Sequence, residues 1–185
     1  MADAGSYAKH PDHSLLMAEE ELRQAMELLF FAYRDFTGEA DALLADFGFG
    51  RAHHRVIYFV GGHPGMTVSE LLKILKITKQ SLSRVLGQLI KDGLIHQRTD
   101  DTDRRRRRLY LTPKGAGLEC RLTERQSRRI ARAYREAGAG AIEGFRAVLR
   151  GIINEEDRQC GAPVLPPAAE WGLGGLEGSD KAHER

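Results

Sequence analysis

The chain has 185 residues, 42% of them hydrophobic, which suits a compact domain with added helices. No run approaches the roughly 18 apolar residues of a membrane helix, and residues 1–13 show no apolar or basic leader, so neither a membrane span nor a secretion signal is expected. Cys120 and Cys160 form no CxxC pair, which fits a cytoplasmic protein, while the net charge of +2 conceals a split: residues 1–47 hold 3 basic and 10 acidic side chains, 48–154 hold 22 and 9, and 155–185 hold 3 and 7.

A basic middle between acidic ends is the distribution of a polyanion-binding core, although charge alone does not separate DNA from RNA or an anionic membrane. In chain order, residues 1–13 mix Gly, Ser, Pro and charges and are expected to be a disordered tail. Residues 14–47 read as a long helix, about Leu15 to Asp46. Leu22, Met26, Leu29, Tyr33, Phe36, Ala40, Leu43 and Phe47 recur at alternating steps of four and three, the spacing of a helix seam. Leu28, Phe30 and Phe31 lie off that seam, so the helix needs two partners, and a second subunit is a natural one. Gly48 and Gly50 end it.

A second helix is expected over Arg51–Val60, closed by Gly61, Gly62, Pro64 and Gly65. Thr67 to Glu70 reads T-x-x-E, a capping box, and opens a short helix with Val68, Leu71, Leu72 and Leu75 as its apolar positions. After a brief turn at Lys76 and Ile77, Thr78 caps a helix running to about Asp92, with Leu82, Val85, Leu86, Leu89 and Ile90 as its buried stripe and Gly93 as its stop. Two short strands follow, Ile95–Arg98 and Arg108–Leu111, with an almost wholly charged loop between them. Thr112 and Pro113 open a helix to about Ala137. It breaks near Gly138–Gly140 and resumes to about Asn154 with Ile142, Phe145, Val148, Leu149, Ile152 and Ile153. The Gly- and Pro-rich remainder, 156–185, is expected to be a flexible tail on which Trp171 is a possible docking residue.

Two short helices, a tight turn, and a two-stranded hairpin with a basic loop are the order of a winged helix-turn-helix. With Leu82, Val85, Leu86 and Leu89 turned inward, helical geometry turns Lys79, Gln80, Ser83, Arg84 and Gln88 outward. Lys, Gln and Arg bond base edges in a major groove wide enough for one helix, and Thr78, Ser81 and Ser83 suit base or phosphate. The helix N-terminus adds N–H groups aimed at phosphate. Taken alone, this helix reads equally well as an amphipathic surface helix. The adjoining loop tips the balance. Arg104 to Arg108 are five successive arginines preceded by Asp100, Asp101 and Asp103. Placed between strands they protrude as a hairpin tip, where a guanidinium suits the negative potential of a narrow minor groove and the aspartates hold neighbouring arginines.

The stretch D-R-R-R-R-R-L-Y-L-T-P-K-G, Asp103 to Gly115, resembles the wing and following helix start of MarR-family regulators. Upstream, T-V-S-E-L-L and I-T-K-Q-S-L-S-R-V-L-G-Q-L-I-K-D-G-L-I resemble that family's helix-turn-helix, and the flanking helix order matches over about residues 15–155. The 48–90 region is similar to the PetP-like branch. The resemblance implies a mostly α (α+β) fold: a winged helix-turn-helix lobe at 48–112 in a triangular homodimer, whose flanking helices at 14–47 and 113–155 interlock. It further implies a bacterial transcription regulator occupying a pseudo-palindromic site on double-stranded DNA. Carried over by position, Lys79, Gln80, Ser83 and Arg84 read the major groove. Arg104 or Arg105, within the wing set Asp103, Arg104, Arg105 and Arg106, enters the minor groove.

Other sites weigh less. His53, His54 and His63 show no metal-binding spacing, and the adjacent pair points to different sides of a helix, so packing or surface histidines are expected and neither metal nor cofactor is. Cys120 lies beside Arg121, which favours a thiolate, but a structural or incidental thiol is the better reading. Members of the family often bind a small effector between the dimer helices and the DNA-binding lobe. Tyr33, Arg34, His53, Arg55 and Tyr58 are the candidate lining here, with ordinary packing slightly preferred. No phosphate loop, G-x-S-x-G or carboxylate pair on an apolar wall points to an enzyme. The competing functions are an RNA- or membrane-surface-binding basic protein, and an adaptor whose winged helix contacts protein.

Overall fold

The computed structural model describes residues 19–100 and 102–159. Seven helices and one two-stranded sheet follow in the order α1 (Glu19–Ala45), α2 (Arg51–Gly62), α3 (Val68–Leu75), α4 (Lys79–Lys91), β1 (Ile95–Thr99), β2 (Arg107–Leu111), α5 (Pro113–Ala137), α6 (Ala139–Ile152) and α7 (Glu155–Gln159). The tail at 1–13, the first residues of the expected long helix, Asp101, Cys160 and Trp171 lie outside the described residues.

The caps act as read. Thr67 Oγ1 accepts from the Glu70 N–H, and the Glu70 carboxylate accepts from the Thr67 N–H at 2.6 Å. These bonds, the backbone one first, hold the Glu70 carboxyl below its ordinary range. Thr78 and Thr112 do the same for Ser81 N and Gly115 N at the starts of α4 and α5. Gly93, at φ 71°, turns the chain out of α4 in a conformation that L side chains rarely adopt.

One core joins these elements. Val56, Ile57 and Val60 of α2, Leu71 of α3, Leu82, Val85, Leu86 and Leu89 of α4, Leu94, Ile95 and Leu109 around the sheet, and Leu118 and Leu122 of α5 are all buried. Each such side chain stabilises the fold by about 1.5–3 kcal/mol over its exposed state. Ile90, expected in the stripe of α4, is instead exposed, because it stands one step beyond the arc that Leu82, Val85, Leu86 and Leu89 already fill.

The sheet holds a third strand-like piece. Beyond the β1–β2 ladder, from Ile95↔Leu111 to Thr99↔Arg107, Thr67 bridges Arg108. Gly65 N donates to Leu109 O and Leu109 N donates to Met66 O. A lone two-stranded hairpin is marginal in water, and this extra edge ties the hairpin to the start of α3. Both strands are one residue longer than the alternation suggested, since Thr99 and Arg107 also pair.

Helix α1 has two characters. Its C-terminal part buries Thr37, Ala40, Leu43 and Leu44. Gln126 of α5 donates to Phe36 O at 3.3 Å, and Arg129 of α5 pairs with Glu39. The N-terminal part of the seam stands in the open: Leu22, Met26, Leu29 and Tyr33 are exposed, as are Leu28, Phe30 and Phe31. Helix α6 buries no residue and exposes Phe145, Val148 and Ile152. The chain after Asn154 departs from the expected flexible tail in its first residues, which form α7. Its Asp157 meets Lys76 at 2.9 Å.

Candidate nucleic-acid interface

The seven side chains of α4 and its cap expected to contact DNA separate into three groups. Lys79, Gln80, Ser83 and Arg84 are exposed and have no hydrogen-bond partner among the described residues. Thr78 and Ser81 are spent on each other: the Thr78 hydroxyl donates to Ser81 Oγ at 2.9 Å while accepting from Ser81 N. Gln88 is half-buried, with its Oε1 3.0 Å from His53 Nε2. His53 Nδ1 accepts from the Gly50 N–H at 3.1 Å, so Nε2 carries the ring proton and donates to Gln88. Phe49 stacks on the same imidazole at 4.8 Å. Gln88 thus fastens α4 to α2, and the free polar row is confined to the first half of α4.

The arginine run divides in the same manner. Arg104 and Arg105 extend their guanidiniums into solvent with no side-chain partner among the described residues. Arg106 lies 3.4 Å from Asp103, whose Oδ1 also accepts from Arg105 N. Arg107 donates to Thr99 Oγ1 and to Arg104 O. Arg108 reaches Asp100 and Gly65 O. Three of the five arginines therefore hold the hairpin and two are left for a ligand. Arg107 and Arg108 belong to β2, whereas Arg104 and Arg105 belong to the turn.

Asp100 is one of the aspartates expected to hold a neighbouring arginine, and it pairs with Arg108. It is buried at the base of the loop, its Oδ1 accepting from Thr102 N, Thr102 Oγ1 and Asp103 N. The Thr102 hydroxyl foremost, then those backbone N–H groups and Arg108, hold its carboxyl far below the usual carboxylate range. The sequence showed an acid before a basic run. Only the fold shows that it organises the turn.

The five residues expected to line an effector pocket lie on α1 and α2. Arg55 Nη2 donates to Tyr33 Oη at 3.0 Å, and Arg51 lies over the Tyr33 ring, so Tyr33 and Arg55 do meet. Arg34 turns to Asp35 and to the Phe31 ring. His53 serves α4 through Gln88. Two residues along a helix differ by about 200°, so His53 and Arg55 leave opposite sides of α2. Tyr58 is half-buried against Phe59, and burial first, then Glu119, raises its pKa. Cys120 is exposed, and no group of His, Cys, Asp and Glu able to hold a metal occurs among the described residues. No described helix is long and apolar enough to cross a membrane.

A sequence model of the MarR family matches residues 47–106. The HTH-type transcriptional regulator PetP of Rhodobacter capsulatus is 46% identical over 159 residues, 86% of this chain and 95% of that protein. The likeness seen at 48–90 therefore extends through the flanking helices. Among solved structures, Streptococcus pneumoniae FabT in complex with DNA superposes with TM-score 0.57 at 21% identity, over 70% of this chain and 91% of that one. A SlyA-like transcription regulator from Listeria monocytogenes superposes with TM-score 0.58 at 18% identity, over 67% and 83%. At those identities the two structures speak for the fold, and the relative speaks for the role: this chain belongs to the MarR family of transcriptional regulators.

Proposed function

We propose that the chain binds double-stranded DNA as a homodimer at a pseudo-palindromic promoter site. The observation that carries this reading is the free polar row on the first half of α4, Lys79, Gln80, Ser83 and Arg84, on a helix whose opposite face is locked into the core. In this reading that row enters a major groove. Arg104 and Arg105 of the wing enter the flanking minor groove, and Asp103 and Arg106 hold the tip. FabT, which shares the fold, has been solved with DNA, and this supports the choice of ligand over RNA, an anionic membrane or a protein partner.

The dimer rests on the uncovered apolar surface. Met26 and Phe30 of α1 and Val148 of α6 are each more than 60% exposed, with Leu22, Phe31 and Ile152 beside them in sequence. Apolar surface of that extent marks an interaction face. The division of labour is then a DNA-binding lobe at 48–112 and dimerisation helices at 14–47 and 113–155. Two recognition helices related by a two-fold stand about 34 Å apart, one turn of duplex. Control by a small effector fits the α1–α2 seam, where Tyr33 and Arg55 offer a phenol and a guanidinium and Arg34, His53 and Tyr58 are the further candidates.

The purified protein is expected to retain a small set of genomic duplex fragments, and duplex DNA is expected to displace RNA and anionic vesicles at about 150 mM salt. Equal competition by RNA or vesicles would overturn the DNA reading. Val148→Glu together with Met26→Glu is expected to convert a dimer to monomers in sedimentation and to abolish retention of the palindromic fragments.

A further inference from the structure

A long-range ion pair reaches the helix-turn-helix from the C-terminal end and joins Lys76 and Asp157, 81 residues apart, with Nζ and Oδ2 at 2.9 Å. Lys76 occupies the turn between α3 and α4 and is the only non-glycine with positive φ (49°) among the described residues. An L side chain rarely holds that conformation. Thr78, the cap of α4, follows two residues later, within about 8 Å along the chain. Asp157 belongs to α7, whose Glu155 and Glu156 are also acidic and whose last turn carries Arg158. The ion pair therefore sets the Asp157 carboxylate beside the turn that leads into α4, whose first residue is the exposed Lys79.

We propose that α7 is an autoinhibitory strap: seated on the helix-turn-helix turn through Lys76, it repels the phosphates of an approaching duplex and must be displaced for tight binding. This rests on the DNA-binding reading above. The magnitudes favour a gate over a brace. An exposed ion pair such as Lys76–Asp157, with about half of each side chain open to water, adds little to stability. Asp157 sits on Lys76, two residues before the cap of α4, so a duplex seated on α4 would meet its charge within about one screening length, and affinity for a polyanion changes steeply with each net charge at the interface. A weak clasp carrying several charges regulates binding better than it holds a fold. It also yields easily, because a phosphate can replace Asp157 on Lys76.

The test uses the full chain and a mixed-sequence duplex, titrated by fluorescence anisotropy at about 100 mM salt. The E155Q/E156Q/D157N variant is expected to bind about threefold to tenfold more tightly than the unaltered protein, with D157N alone shifting the same way by less. The gap is expected to close as salt rises. In a K76Q background, which removes the ion pair, the same three substitutions are expected to give a clearly smaller gain. Unchanged or weaker binding by both variants, or an equal gain with and without Lys76, would overturn the strap while leaving the DNA reading intact. Failure of the unaltered protein to bind any duplex would overturn both.

Discussion

Arg108 closes on a single oxygen of Asp100: its Nε and Nη2 both lie 2.5 Å from Oδ2, while Oδ1 is occupied by Thr102 and the Asp103 N–H. One carboxylate thereby fixes both the turn of the wing and the strand that follows it. Asp100→Ala is expected to loosen the loop and weaken duplex binding by about tenfold although Arg104 and Arg105 remain, because the charge-assisted bonds to a buried group disappear. The carboxyl titrates below its ordinary value, so its stabilisation is complete above about pH 4 and is lost as pH falls toward the depressed folded value. Wing order followed by amide exchange is expected to fall in that acid window, and D100N is expected to remove that part of the pH dependence.

The side chains of Arg104 and Arg105 have no structural duty among the described residues. Replacing both with Ala is expected to leave stability within about 0.5 kcal/mol of the parent. Binding to every duplex is expected to weaken, and the log–log salt slope to become shallower by about 1 for each phosphate that is no longer neutralised. Gln80→Ala or Arg84→Ala is expected instead to alter sequence preference by about 1–3 kcal/mol for each base edge left unread. A titration series over salt and sequence separates the two effects. A drop in stability in the Arg104/Arg105 variant would contradict this division of roles.

Gly115 and Gly117 stand two residues apart on α5 and make opposite predictions. A Cβ at Gly115 would lie 2.0 Å from the backbone oxygen of Leu94, which cannot swing aside, so Gly115→Ala is expected to destabilise by about 2–3 kcal/mol. A Cβ at Gly117 meets nothing within 4 Å, and Gly117→Ala is expected to stabilise the helix by about 0.5–1 kcal/mol. Thermal denaturation of both variants decides.

His54 sits buried on α2, its Nε2 without a hydrogen-bond partner among the described residues. Burial first lowers its pKa, Asp41 opposes that, and Arg55 adds to it. A lowered folded pKa means that the imidazole's contribution is present above the unfolded value of about 6.5 and is lost as pH falls below it. Stability measured by denaturant is expected to decline below about pH 6.5, and His54→Gln is expected to flatten that decline. A variant with the same acid limb would remove His54 as its cause.

Most element boundaries were legible because they depend on neighbours in sequence. The box at Thr67 and Glu70, the cap at Thr78, the Thr112–Pro113 start and the stop at Gly93 are all closed within four residues. Spacing likewise pointed to Leu82, Val85, Leu86 and Leu89 as core. It misplaced Ile90, because a period states a direction but not how wide an arc the neighbours cover.

The sequence by itself determined that a capped, polar-faced helix precedes an arginine-rich hairpin, since caps, periodicity and charge are local properties of the chain. The tertiary structure alone decided which of those polar groups are left over for a ligand. Gln88 was taken by His53, Arg108 by Asp100, Arg107 by Thr99 and Lys76 by Asp157, while the side chains of Lys79, Gln80, Ser83, Arg84, Arg104 and Arg105 found no partner among the described residues. A hydrogen bond reaches only about 3 Å, so whether a side chain is spent or free depends on what the fold brings beside it.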